Sequence, residues 1–119
     1  MRMVYLNGTT DTAGALTVTA ASPSLGFLYA VQLIDGNFDD GVDITLTAEQ
    51  ENLAIPLLVA ADWNSDKMLY PRVLQNLNTD GTALTTHCMP VVNGKIKMVI
   101  AQGGSVKTGG IVLYIVNTP

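Results

Sequence analysis

The densest group of chemistry-bearing side chains in this chain is a short acidic stretch holding Asp35, Asn37, Asp39 and Asp40. Oxygen ligands at alternate positions 35, 37 and 39 are how a calcium loop begins. The pattern then breaks, because Asp40 stands where the sharp turn wants glycine and Leu46 where a bidentate Glu should close the shell. Asp35-Gly-Asn-Phe-Asp-Asp-Gly41 therefore reads as a solvated turn, and no metal is expected. A second stretch, Gln102 to Gly110, has the glycines and the lysine (Lys107) of a phosphate-cradling loop. It lacks the G-x-x-x-x-G-K order, and a strand follows it where such a loop needs a helix N-terminus. A long loop free to take positive φ is the expectation.

His87 and Cys88 are the only histidine and cysteine. Neighbours on a strand point to opposite faces, so they make a poor nucleophile–base pair. One cysteine excludes an internal disulfide and a multi-cysteine zinc site, and Cys88 is expected as a buried, inert thiol. No Gly-x-Ser-x-Gly elbow occurs, and ten acids supply carboxylate pairs by chance alone. The chain is not expected to be an enzyme, and neither catalytic residues nor a cofactor are assigned. Trp63, Met68 and Tyr70 gather around a loop and Pro71, where aromatics either bind sugar or protein or plug one end of the fold. Arg72 is placed to clasp a carboxylate across strands or across an interface.

The elements that would position these residues are strands. Lys95 to Ala101 alternates, with Ile96, Met98 and Ile100 on one side, and Ile111 to Val116 is apolar on both. With the glycine-rich loop between them, residues 93–117 read as a central hairpin. The second strand needs cover on two faces, from a facing sheet and from something else, such as another subunit. Met1 to Leu6 reads as a short strand and Asn7-Gly8 as a turn. Leu16 and Val18 mark a half-buried strand ending at Ser22-Pro23. After Gly26, Phe27, Tyr29, Val31 and Leu33 share one face, with Leu28, Ala30 and Ile34 opposite. Val42, Ile44 and Leu46 alternate with Asp43, Thr45 and Thr47, a strand with one wet side. Ala48 to Asn52 is a polar break. Pro56 puts the apolar run 53–61 at an edge or a bulge. Residues 62–67 form a loop, and 68–74 a strand broken by proline. A turn follows at Asn76 to Gly81, then a strand over 82–92. Asn93-Gly94 is a strong hairpin signal. About eight strands without a long helix predict an all-β fold: a single antiparallel β-sandwich or jelly-roll-like barrel over 1–119, with residues 1–6 an N-terminal arm.

At 119 residues the chain suits one domain, and its 48% hydrophobic share supplies a core. Charged residues are only 13%, against about 25% in typical soluble proteins. So small a domain needs charge to remain soluble alone, so this composition suits burial in an assembly. A net charge of −4 with six scattered basic residues argues against nucleic acid. No secretory signal and no apolar run of membrane-spanning length are present, so a protein made in the cytosol, without a membrane partner, is expected.

Four groups of residues, Tyr29-Ala-Val-Gln-Leu-Ile-Asp-Gly36, Asp40-Gly-Val-Asp43, Leu69-Tyr-Pro-Arg72 and Asn93-Gly-Lys-Ile-Lys…Ala101-Gln-Gly-Gly…Lys107-Thr-Gly-Gly…Leu113-Tyr114, resemble small structural proteins of tailed bacteriophages. The likeness runs from Tyr29 onward and lies in turn and strand patterns. It implies a virion component made in the bacterial cytoplasm. The favoured role is a capsid decoration, or cement, protein on the shell surface. Its partners would be the major capsid protein and copies of itself, with a trimer favoured. A head–tail connector, tail or fibre-associated β-module is the alternative, and a carbohydrate-binding module using Trp63 and Tyr70 the third reading. The interface residues expected are Met1, Val4, Tyr5, Trp63, Met68, Tyr70, Arg72, Val112 and Tyr114, and residues 1–6 are expected to be able to add a strand to a neighbour.

Overall fold

The computed structural model describes residues 1–50, 53–74 and 87–118, and every regular element among them is a strand. In chain order these are β1 (Arg2–Thr9), β2 (Leu16–Thr19), β3 (Ser24–Ile34), β4 (Val42–Gln50), β5 (Leu53–Trp63), β6 (Lys67–Leu69), β7 (Val73–Leu74), β8 (His87–Cys88), β9 (Val91–Ala101) and β10 (Thr108–Val116). Eight of them join one antiparallel sheet along the path β1-β10-β3-β9-β4-β5, with β2 beside β9 and β6 beside β3, while β7 and β8 pair with each other. The path does not return from β5 to β1, so the fold is all-β and antiparallel but not closed into a barrel. The expected turn at Asn76 to Gly81, and the part of the following strand over 82–86, lie outside the described residues.

Two long strands make the sheet double back. β3 pairs with β9 only over Ser24–Phe27 against Val91–Gly94. Beyond that stretch β3 is flanked by β10 and β6, and β9 by β4 and β2. One half of the sheet is therefore β1-β10-β3-β6 and the other β2-β9-β4-β5. Their apolar sides share a single core: Leu6, Leu28, Val31, Leu33, Ile111, Leu113 and Ile115 from the first half, Val42, Ile44, Leu46, Ile96, Met98 and Ile100 from the second. Alternation alone placed β4, whose Val42, Ile44 and Leu46 are fully buried while Asp43, Thr45 and Thr47 are not. β5 is an edge strand whose register against β4 shifts twice, once around Leu57 next to Pro56 and once between Ala60 and Trp63, and an edge or a bulge is where a sheet admits proline.

Several expectations give way to the pairing. β9 and β10 are not a hairpin, because each is an inner strand of a different half and β3 lies between them. Asn93-Gly94 is not a turn. It lies within β9, where Gly94 takes φ +128° as the strand passes from β3 to β4. A hairpin turn needs its flanking residues to pair with each other, and here Val91 and Val92 pair with Phe27 and Gly26. Asn7-Gly8 stays in β1, and the first six residues are no free arm, since Arg2 to Thr9 run in unbroken register along β10. Ala48 to Gln50 continue β4, and β5 runs on through Trp63. A register shift leaves Tyr29 unpaired against β10, so Leu28 joins Val31 and Leu33 in the core, and Tyr29 is exposed.

The β3–β4 connection (35–41) and the β9–β10 connection (102–107) each pass from one half to the other, and they interlock at one end. Asn37 N–H donates to the Thr108 carbonyl at 3.0 Å, Thr108 N–H returns to Asn37 Oδ1 at 2.6 Å, and Asp39 N–H donates to the Gly103 carbonyl at 3.0 Å. Phe38 is buried between them, edge-on to Trp63 with ring centroids 6.5 Å apart. The approach leaves no room for side chains: a Cβ on Gly109 would lie 2.5 Å from the Phe38 ring, and one on Gly36, at φ +57°, would strike the Thr108 carbonyl. Phe38→Ala is expected to cost about 3–5 kcal/mol in chemical denaturation. Gly36→Ala should cost clearly more than Gly41→Ala. Both glycines have positive φ, but a Cβ at Gly41 would meet only Asp62 Oδ1, at an ordinary contact distance of 3.8 Å.

Candidate interaction surface

The outward sides of the two halves differ in kind. On the β2-β9-β4-β5 half, the positions that alternate with the core are Asp43, Thr45, Thr47 and Glu49 of β4 and Lys95, Lys97 and Val99 of β9. Glu49 and Lys97 form an ion pair at 3.5 Å. This side is polar and charged.

The other half presents a side that is charge-free among the described residues, and its layout follows from register. Opposite residues in an antiparallel ladder point the same way. Tyr5, Val112, Gln32 and Met68 form one row across β1, β10, β3 and β6, Met3, Tyr114 and Ala30 a second, and Asn7, Gly110 and Ile34 a third. Met3 (50% exposed), Tyr5 (61%), Met68 (44%) and Ile34 (38%) are open to solvent, while Val112 in their midst is 4% exposed. Tyr114 Oη donates to Gln32 Oε1 at 3.0 Å, which leaves its ring half-buried on this side. Gly109 and Gly110 open a hollow of about 360 Å³ walled by Tyr5, Asn7 and Ile34.

A smaller aromatic group borders the bulge. The Tyr29 and Tyr70 rings meet edge-on at 5.8 Å, and the Arg72 guanidinium lies 5.8 Å from the Tyr29 ring centre. Arg72 Nη1 donates to the carbonyls of Tyr29 (3.0 Å) and Pro71 (2.6 Å), so it clasps backbone where a carboxylate was expected. Between β5 and β6 runs a groove of about 410 Å³ lined by Leu33, Leu58, Val59, Trp63, Leu69 and Tyr70. Trp63 is 2% exposed and caps the core, so of the two rings expected to stack on sugar only Tyr70 is open.

Of the expected interface residues, Tyr5, Met68, Val112 and Tyr114 come together on the charge-free side, and Tyr70 and Arg72 join around Tyr29. Met1 is exposed just ahead of β1, whereas Val4 and Trp63 pack inward. Met3 and Ile34 belong to the surface but were missed. Parity with Tyr5 would have found Met3, while the shift at Tyr29 disguised β3.

The remaining candidates stay apart. Cys88 is exposed: among the described residues β8 pairs with the two-residue β7 alone, and neither strand joins the main sheet. In the acidic turn, Asn37 Oδ1 is taken by Thr108 N–H, and Asp35 N–H is bound by Asp66 Oδ1 at 2.8 Å. No three His, Cys, Asp or Glu side chains converge as a metal site among the described residues, and they form no helix long and apolar enough to cross a membrane. Comparison with protein-family models, curated proteins and solved structures finds no match.

Desolvation, then the nearby Asp66 and Asp40 charges, raise the Asp35 carboxyl above its ordinary 3.8, and its buried Oδ1 has no hydrogen-bond partner among the described residues. A raised folded-state pKa means the native state holds the proton to higher pH than the unfolded state does. Stability from this group is thus present below 3.8 and lost as pH rises through the folded value. Asp35→Asn should raise the Tm at pH 7, with the gain fading as the pH is lowered toward 3.8. Thermal melts across that range measure it. The exposed Cys88 should react fully with a thiol reagent in the native protein, without denaturant.

Proposed function

We propose that this chain is a structural protein of a tailed-phage virion: a decoration protein that lies on the outside of the capsid, binds the major capsid protein and braces the shell against packaged DNA. The observation that carries this reading is the contrast between a charged outer side and one without charge, populated by Met3, Tyr5, Ile34, Met68 and Tyr114. A protein with net charge −4 and pI near 4.5 whose described acids lie off one side has a surface suited to dry contact. The resemblance of its turn and strand motifs to phage virion proteins supplies the setting.

The physics of the role asks for little else. Packaged DNA pushes capsomers apart, and a rigid β-domain bridging them adds buried area at each junction. At roughly 25 cal/mol per Å², an interface of ordinary size, about 1,200–2,000 Å² in total, resists rupture when it is repeated over a whole shell. A sheet held by one continuous core deforms little under that load. No bond-making step is needed, and the charge-free side offers contact area and no reactive group.

Purified protein is expected to bind expanded phage heads, measured by co-sedimentation and by its ratio to the major shell subunit. Met68→Glu and Ile34→Glu would place charge on the contact side and should each lower occupancy about tenfold or more. Retained occupancy in both variants would move the contact elsewhere on the molecule. Binding to tails or necks but not heads would move the protein to the connector or tail position, and binding to neither would end the virion reading.

A further inference from the structure

We propose that two copies of this chain join through the free edges of β1, as an antiparallel strand pair about a two-fold axis. β1 is the first strand on the sheet path, and its hydrogen-bonded partner among the described residues is β10 alone. An unpaired edge is a template for another strand unless it is short, bulged, proline-bearing or charged. The other open edges are guarded in these ways. β5 carries Pro56 and a register shift, β6 has three residues and β2 four. β1 has eight residues in unbroken register, and from Met3 to Thr9 it holds no charge and no proline.

The occupant follows from charge and side-chain direction. β1 opens with Arg2, and Asp11 lies just beyond its far end, both exposed. Antiparallel pairing of two copies sets each Arg2 beside the Asp11 end of the other, twice over, in a molecule whose net charge of −4 opposes approach elsewhere. Opposite residues in the new ladder point the same way, so Met3 would gain cover from the partner's Thr9 and Asn7, and Tyr5 from its Asn7 and Tyr5. The charge-free side would then run unbroken across both copies. A strand pair of this kind closes at two chains, whereas the trimer implied by the phage likeness needs another surface. The inference does not rest on the capsid reading, and either can fail alone.

Sedimentation velocity on the full chain, from micromolar to near-millimolar concentration, should show monomer passing to dimer. Tyr5→Lys places like charges close to the two-fold axis and Met3→Lys puts a charge against the partner's uncharged strand end, and each should weaken the dimer about tenfold or more. Arg2→Glu should weaken it too and reverse its salt response, added salt then strengthening the dimer by screening the repulsion. Circular dichroism melts establish that the variants fold. Hydrogen exchange on the unaltered protein provides an independent reading, since β1 amides should gain protection as concentration rises. A monomer at the highest concentration, a trimer or larger ring, a dimer indifferent to both lysine variants, or β1 amides whose exchange ignores concentration would each overturn the proposal. So would pairing of β1 with a foreign strand alone.

Discussion

The fold depends on one steric constraint: two chain segments that carry the polypeptide from one half of the sheet to the other occupy the same end of the molecule. The 35–41 connection is bonded to the 102–107 connection and the start of β10 by two backbone hydrogen bonds of 3.0 Å and by the 2.6 Å bond from Thr108 N–H to Asn37 Oδ1, and the segments close around the Phe38 ring. Connections this close require glycine at contact points, and Gly36 and Gly109 meet that need where any Cβ would collide with a carbonyl or with Phe38. The consequences reach beyond the loops. Since the lock fixes where β4 starts and where β10 starts, it also sets which of their residues face inward. A slip by one residue would turn Val42, Ile44 and Leu46, or Ile111, Leu113 and Ile115, out of the core.

That constraint explains what was readable in the sequence and what was not. Alternation is a local property, so β4 could be read from Val42 to Thr47, and Pro56 alone was enough to put β5 at an edge. The partner of a strand is not local. Asn93-Gly94 and the glycine-rich loop at 102–110 have the composition of hairpin turns, yet the strands around them pair with β3, β4 and β1. The composition reports permissive backbone, as the φ values of +128° at Gly94 and +88° at Gly104 show, and leaves the choice of partner to the whole core. The shift at Tyr29 is the same lesson on a smaller scale, since one extra residue in β3 reverses the inside and outside of everything before it.

The expected surface was partly legible for a related reason. Ile111 to Val116 is apolar on both faces, and that pattern pointed to cover on two sides. The core covers Ile111, Leu113 and Ile115, while Val112 is hidden by its own sheet neighbours, in register with Tyr5 and Gln32. The apolarity therefore passes outward along the row, to Met3 and Tyr5 on β1 and, beyond β3, to Met68 on β6, where it meets solvent. A reading confined to β10 finds the demand for cover but misplaces the residues that express it.

Charge placement converts that geometry into a preference for particular neighbours. A chain with ten acids and six bases repels its own copies at long range, and the repulsion is weakest where a surface carries no charge at all. On this molecule that surface is also where a strand edge is open and where large apolar side chains are exposed, so desolvation, backbone pairing and the electrostatic minimum coincide. The opposite side, with Glu49, Lys95 and Lys97 on its strands, gains nothing from losing water. A sheet with one wet charged side and one uncharged side has a defined orientation toward any assembly it enters, the uncharged side inward. That orientation comes from alternation in β1, β3, β4, β9 and β10, and therefore from the same register that the interlocked loops hold in place.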